Sequence, residues 1–401
     1  MFPLADRMSL IADSITLAVS AKAGAMKKAG IDVVGFGAGE PDFDTPAFIK
    51  EAAKAALDKG QTKYTPTPCF PELKAAIADK FVKENGLAYK PENITVGAGG
   101  KHCLYMAFMA VLNPGDEVLI PSPYWVSYPE QVKLAGGVPK IVRGEEANGF
   151  KITPQQFEAA ITPKTRVFVI NSPSNPAGHA YTAEELKALA DVVAKHPQVV
   201  VFSDEIYEKL LYGGLKFASF ATLNPVLFDR TLTFNCHSKS FAMTGWRVGY
   251  IGGPKFVIDA INKLQSQMNS HITSFTQIPA AIALTDPQAA VTVEQMRQEF
   301  EKRGQHMWKR LSELPKVTCV RPQGAFYCFP NVSAYFGKTA GTAKITDAVS
   351  FAAALLEQSH VAVVPGNDSG FETHVRLSFA TSMAQIDKGL DRIAEFLKKL
   401  G

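Results

Sequence analysis

Lys239 stands just past the apolar run TLTFNC and opens SKSFAMTGWR, which places its amine at a strand end among small and apolar residues. Desolvation there favours the neutral amine, a nucleophile toward carbonyl carbon. Asp204 ends a second run, VVVFSD, and a carboxylate projecting from a buried strand must find a cation. A protonated pyridine nitrogen is one such cation, and a ring kept protonated can accept electrons when a substrate carbon loses its proton. Tyr207 shares the face of Asp204 if the turn between them is helical, so its phenol can hydrogen-bond an oxygen of the same ring. The loop NSPSNPAG follows a third run, and Pro176 fixes the backbone that aims the Asn175 amide into a cleft. In VGAGGKH, Gly99 and Gly100 let backbone N–H groups approach an anion at the positive end of a helix running from Lys101 to Leu112. In HVRLSFA, Val375, Leu377 and Phe379 share one strand face and leave Arg376 on the other. Each of these also has an ordinary reading: a surface lysine, an N-cap aspartate, a packing tyrosine, a rigid loop, a two-glycine turn, an arginine in a surface ion pair.

Bringing these groups together requires a fold that presents strand ends to one cleft. A chain of 401 residues suits a large domain with a smaller partner sharing its core. Hydrophobic residues at 46% and charged residues at 20% exclude the disordered and fibrous classes. The net charge of +4 is spread without a Lys/Arg block, which argues against a nucleic-acid partner. Cys69, Cys103, Cys236, Cys319 and Cys328 are scattered without CxxC spacing, so a zinc site is not expected and a reducing compartment fits. The start, MFPLADRMSLIADS, lacks the pattern of a leader, and no apolar run reaches membrane-spanning length; a cytoplasmic protein without a membrane partner is expected.

The runs EVLIPSP, RVFVINSPSNP, VVVFSDEIY, TLTFNCHSK and RVGYIGG read as strands alternating with helices. One helix opens at Thr45-Pro46 with a stripe of Phe48, Ile49, Ala52, Ala53, Ala56 and Leu57 and closes at Gly60; another spans Pro71 to Asn85 and stops at Gly86. Thr182 with Glu185 forms a capping box for a third. The expectation is an α/β domain, a mostly parallel sheet sandwiched by helices, with ligands at the carboxyl ends of the strands, where Asn171 to Gly178, Asp204 to Tyr207 and Lys239 lie. An amphipathic helix from Arg297 to Leu314, the runs TCVRPQGAFYCF, VAVVPG and HVRLSFA, a helix at 346–358 and a final helix read as a smaller α+β domain. Residues 46–295 then form the large domain, and 1–45 plus 296–401 the small one.

The set GEPDFDTP, GQTKYTP, PYWVSYP, NSPSNPAG, SDEIYE, SKSFAMTGWRVGY, GAFY and HVRLSFATS, in that order over essentially the whole chain, resembles the class I aminotransferases of pyridoxal-5'-phosphate (PLP) fold type I. GGK and PYWVSYPE bring it nearest to the bacterial aspartate/prephenate aminotransferase branch. The resemblance implies that Lys239 carries PLP as a Schiff base and moves the substrate proton. Asp204 would pair with the ring nitrogen, Asn175 and Tyr207 would bind the 3'-oxygen, and Trp125 would stack on the ring. The amides of Gly100 and Lys101 with Arg247 would hold the phosphate, and Tyr64 would reach it from the neighbouring subunit of a homodimer. Arg376 would clamp the α-carboxylate of the substrate as a bidentate fork, helped by the backbone of Gly39. No metal is implied.

Two positions depart from the family pattern. Cys236 stands where relatives carry a hydroxyl three residues before the lysine, leaving Ser238 to replace that phosphate contact; Ala177 stands where Thr is usual before Gly178. The implied reaction is transamination between an amino acid and a 2-oxo acid. Lys101 could pair with a distal carboxylate, favouring aspartate or glutamate with 2-oxoglutarate, oxaloacetate or prephenate as partners; a solvated lysine at a helix start is the ordinary alternative. Rival readings are an aromatic or broad-specificity aminotransferase, a PLP-dependent C–S lyase or decarboxylase on the same fold, and a PLP-binding transcriptional regulator. The last requires a helix-turn-helix region before GEPDFDTP, which begins at Gly39.

Overall fold

All five runs form strands in the computed structural model, which describes residues 2–12 and 15–400: Glu117–Ser122, Thr165–Asn171, Val200–Asp204, Thr231–Cys236 and Gly249–Gly252. Ile94–Gly97 and Val138–Arg143 complete a seven-stranded sheet in the order 94–97, 249–252, 231–236, 200–204, 165–171, 117–122, 138–143. Gly249–Gly252 alone runs opposite to the other six strands. Both faces of the central strands are buried, which is why those strands read as unbroken apolar runs. Val167, Val169 and Phe202 pack against the helices Gly100–Val111 and Lys255–Met268. The alternate residues Phe168, Ile170 and Val201 pack on the other side against Leu186, Leu189 and Val193 of Ala183–Ala194. The edge strand Val138–Arg143 escapes sequence reading because it is largely exposed, Val138 and Ile141 included.

Local signals set most helix ends. Pro71–Asn85 ends at Gly86, whose φ of 68° is left-handed. Thr182 caps Ala183–Ala194 by accepting from the Glu185 amide at 3.2 Å while the Glu185 carboxylate accepts from Thr182 N–H at 2.8 Å. Two expectations need correction. The helix expected from Thr45 starts at Ala47 with Pro46 at its N-cap, and its buried stripe is Ile49, Ala53 and Ala56, with Leu57 exposed. Thr45 turns away from the helix: its hydroxyl donates to the Ala242 carbonyl at 2.7 Å and accepts from Trp246 Nε1 at 3.0 Å, pinning the segment that follows Lys239. The long amphipathic helix begins at Pro287 and not at Arg297, capped by Asp286, and runs to Ser312 without a break at residue 295. Its first turns, with Ala289 and Val293, pack on Ile49, Phe241 and Met243, and its later residues Met296, Phe300, Met307 and Leu311 enter a second core.

That second core joins the C-terminal elements to the N-terminal segment. Val364–Pro365, Val375–Ser378 and Tyr327–Cys328 form an antiparallel sheet covered by Ala348–Ser359 and Met383–Leu400. Val34–Gly35 pairs in parallel with Val361–Ala362, and Ser378 N–H donates to the Phe36 carbonyl at 2.8 Å. This pairing brings Gly37 and Gly39 beside the strand that carries Arg376. No helix among the described residues is long and apolar enough to cross a membrane.

The approach of the N-terminal segment depends on Gly389 in the last helix. A β-carbon there would run into the Phe36 ring and lie 2.9 Å from Val34 Cγ1. Gly389→Val is therefore expected to destabilise the protein by roughly 1 to 3 kcal/mol, the usual cost of overpacking. Chemical denaturation of the apoprotein checks this, and an unchanged midpoint would show that the segment moves aside freely.

Candidate active site

The carboxyl ends of the parallel strands deliver Asn171, Asp204 and, after one turn, Lys239 to a single edge of the sheet. Because Gly249–Gly252 runs the other way, its beginning lies on that same edge, so Arg247 arrives there too. A cavity of about 1060 Å³ opens at this edge, lined by Gly39, Lys101, Trp125, Asn175, Asp204, Tyr207, Lys239, Arg247 and Arg376.

Lys239 lies on the short helix His237–Ser240 and donates from Nζ to the Gly39 carbonyl. Burial lowers its pKa; Cys236 opposes this, and Arg376 and Arg247 act in the same direction as burial, against Glu40. The Asp204 carboxylate accepts from the Tyr128 hydroxyl at 2.5 Å and from Ile206 N–H at 3.3 Å. Burial pushes Asp204 up to about 6, although the Tyr128 bond opposes the rise. The Tyr207 hydroxyl shares a 3.0 Å hydrogen bond with that of Tyr327, and burial carries its pKa well above the usual phenol value. Asn171 ties the loop to the strand end: its side-chain amide donates to the Asp204 carbonyl at 3.0 Å and its side-chain oxygen accepts from Asn175 N–H at 3.0 Å. Arg376 donates to Asn175 Oδ1 and to the Gly37 carbonyl, each at 2.9 Å, while its buried Nε has no partner.

Gly99 precedes the helix Gly100–Val111 with φ of 86°, and a side chain there would overlap the Arg247 guanidinium. Arg247 donates to the carbonyls of Ala98 and Thr244 at 3.1 and 2.8 Å, which holds it beside the first amides of that helix. Lys101 extends over the Trp125 ring, 5.1 Å from its centroid, and its partial burial lowers its pKa, aided by Arg247. Lys101, Lys239, Arg247 and Arg376 all line the cavity, and none of them pairs with a carboxylate among the described residues. Two of the cavity's acids are engaged elsewhere, Glu130 pairing with Lys133 and Asp368 accepting from Ile15 N–H, and the third, Asp204, accepts from Tyr128.

Four candidates lie off the lining. Ser238 is buried, and Gly99 and Gly100 stand at the start of the helix whose next residue, Lys101, lines the cavity. Tyr64 is 91% exposed, edge-on to His271 and away from the cavity of its own chain. The carbonyl that receives Arg376 belongs to Gly37; Gly39 offers its carbonyl to Lys239. Sequence reasoning missed Tyr128, Tyr327 and Gly37. Tyr128 and Tyr327 stood within quoted motifs, but only the packed fold shows that their hydroxyls reach Asp204 and Tyr207.

The buried Asp204 lacks a cation, a desolvated amine stands in the same cavity, and unpaired cations line it. These residues fit pyridoxal phosphate, whose ring nitrogen, aldehyde and phosphate answer them in turn. Together with the sheet they define a PLP enzyme of fold type I. The family model of aminotransferase class I and II matches residues 31–393. The chain is 51% identical to the aspartate aminotransferase of Geobacillus stearothermophilus, covering 98% of this chain and 99% of that one. It is 50% identical to the aspartate/prephenate aminotransferase of Cereibacter sphaeroides, covering 98% of each. The aspartate aminotransferase of Thermus thermophilus solved with maleate superposes with a TM-score of 0.93 at 44% identity, covering 99% of this chain and all of that one. The chain therefore belongs to the class I and II aminotransferases: it is an aminotransferase with PLP as its cofactor, moving an amino group between an amino acid and a 2-oxo acid.

The lowered pKa of Lys239 makes a prediction for the apoprotein. Near neutral pH a small aldehyde with borohydride should label Lys239 well ahead of the exposed Lys54, because more of its amine is neutral. Peptide mapping of the labelled protein reads the order, and preferential labelling of Lys54 would contradict it.

Proposed function

We propose that this aminotransferase takes the dicarboxylic amino acids aspartate and glutamate, with 2-oxoglutarate or oxaloacetate, and prephenate as well, as oxo-acid partners. The observation that carries this reading is the presence of two unpaired cations, Arg376 and Lys101, on one cavity beyond those needed for the cofactor. Two carboxylates on one substrate would satisfy both. The names of the Geobacillus and Cereibacter relatives support it, as does the dicarboxylate maleate in the Thermus structure.

In this reading Arg376 grips the α-carboxylate with its fork, positioned by Asn175 and by the backbone of the Gly37 to Gly39 segment. Lys101 meets the distal carboxylate. PLP supplies the electron sink for the charge left on Cα when its proton departs. Lys239 would hold the cofactor and, once released from it, would serve as the base that takes the Cα proton, its lowered pKa favouring the neutral amine. Asp204 keeps the ring nitrogen protonated, with Tyr128 fixing the carboxylate that does so. Tyr207 and Asn175 would bind the 3'-oxygen, and Trp125 would lie against the ring. The amides of Gly100 and Lys101, opened to approach by Gly99, hold the phosphate with Arg247 and Ser238. We infer also that the chain acts as a homodimer, with the outward Tyr64 reaching the phosphate of the partner subunit. Its five free cysteines suit a reducing cytoplasm.

Lys101→Ala tests the substrate reading. The specificity constants for aspartate and glutamate should fall roughly tenfold to a hundredfold, the equivalent of ~1 to 3 kcal/mol for a hydrogen bond to a charged group. Phenylalanine should be nearly unaffected. Equal losses for all donors would make Lys101 a phosphate or structural residue, and an aromatic or broad-specificity aminotransferase would become the better description.

Subunit mixing tests the dimer. Tyr64→Phe chains combined with Lys239→Ala chains should form hybrids with one site free of both lesions and regain activity above either parent. Hybrids no more active than the Tyr64→Phe parent would remove Tyr64 from the neighbouring site.

A further inference from the structure

Behind the cavity, on the opposite side of the strand end from Asp204, lies a buried cluster of charges. Glu205 and Glu208 project from the turn that follows Val200–Asp204, and Lys80 and Asn85 come from the last turns of the helix Pro71–Asn85. Glu205 Oε1 accepts from Ser203 Oγ at 2.8 Å, from Ser219 Oγ at 2.7 Å and from Phe220 N–H at 3.2 Å. Its Oε2 accepts from Asn85 Nδ2 at 3.1 Å and from Ser219 Oγ at 3.0 Å. Asn85 also donates to Glu208 at 2.8 Å and accepts from Lys80 at 2.7 Å, and Lys80 closes the ring through its ion pair with Glu208. Burial and the Glu208 carboxylate push Glu205 up to about 7; burial acts on Glu208 as well, but Lys80 and Lys209 hold it below the usual range.

Burying two carboxylates against one ammonium is an expensive way to fill space, since apolar residues of similar size fill it as well or better. What the cluster does uniquely is fix a direction. The strand ladder stops at Asp204, and the Glu205 amide makes the last bond to the neighbouring strand, to Phe234, before the chain turns. Successive side chains point to opposite faces, so a carboxylate locked at 205 sets the orientation of the one at 204. On its own side Asp204 has only the Tyr128 hydroxyl and the long Ile206 bond.

We propose that Glu205 is a positioning residue for transamination, holding the Asp204 carboxylate toward the cavity through the backbone the two share. The proposal rests on reading Asp204 as the partner of the cofactor's ring nitrogen. Glu205→Gln tests it, because the amide keeps the side chain's size while turning one acceptor into a donor that faces the donors of Asn85 and Ser219. Two quantities are measured in the wild-type and Asp204→Ala backgrounds: the PLP dissociation constant of the apoprotein by equilibrium dialysis, and the single-turnover rate with aspartate.

In the wild-type background Glu205→Gln should weaken PLP binding and slow turnover by roughly tenfold to a hundredfold, the effect of leaving buried polar groups unmatched. In the Asp204→Ala background the same change should alter either quantity by less than about threefold, since coupled residues are not additive. Equal losses in both backgrounds, or no loss in the first, overturn the proposal. If Glu205→Gln does not accumulate folded, Ser219→Ala removes a donor from both Glu205 oxygens and enters the same cycle with the same criterion. An Asp204→Ala variant that binds PLP and turns over normally would instead overturn the reading of Asp204. A damaging Asp204→Ala with a harmless Glu205→Gln overturns the positioning role alone.

Discussion

A carboxylate placed in the interior without a cation is the constraint on which the rest of this structure turns. Asp204 is 2% exposed at the end of a central strand, where desolvation disfavours its charge and no lysine or arginine among the described residues pairs with it. A folded chain tolerates such a group only if something else completes it. Tyr128 supplies one hydrogen bond and the turn supplies another, but neither brings positive charge. In the proposed reading the demand passes to the cofactor, and the chain is an incomplete half of a charge-balanced whole.

The opposite imbalance surrounds it. Three cations, Lys101, Arg247 and Arg376, reach the cavity wall without carboxylate partners among the described residues, and carbonyl contacts orient the two guanidinium groups without neutralising them. Low dielectric makes each unmatched charge a strong attractor for a ligand of opposite sign. Burial lowers the pKa of the Lys239 amine, and the positive charge of Arg376 and Arg247 acts in the same direction. In the proposed reading anion binding and nucleophile activation are linked, because the guanidinium groups of Arg376 and Arg247 that would attract anions also disfavour positive charge on Lys239.

The parts of this site that could be read from the sequence are those set by neighbours in the chain. Asp204 and Lys239 were legible because each follows an apolar run, and Gly86 and Thr182 because caps act over a few residues. Tyr128 was not, since its partner lies 76 positions away. Thr45 was misread for the same reason, its hydroxyl being drawn to Ala242 and Trp246 across the fold instead of to its own helix. Val138–Arg143 was hidden because an exposed edge strand needs no apolar run. Lys80, Asn85, Glu205 and Glu208 look like the solvated face of a helix and a turn; only packing reveals that they are sealed inside. The long helix was cut short because its charged middle announces itself more clearly than its capped beginning at Asp286.

The single reversed strand has a consequence for how the site is assembled. The chain leaves the sheet at Cys236 and re-enters it at Gly249, residues that sit opposite each other in adjacent strands. Everything between is an excursion with both feet planted side by side, and it carries the amine of Lys239 outward and the guanidinium of Arg247 on the way back. Such a loop is a cassette whose two anchors are neighbours in the sheet. The amine and the guanidinium therefore travel as one piece, carried by twelve consecutive residues, 237–248, that Thr45 pins from across the fold.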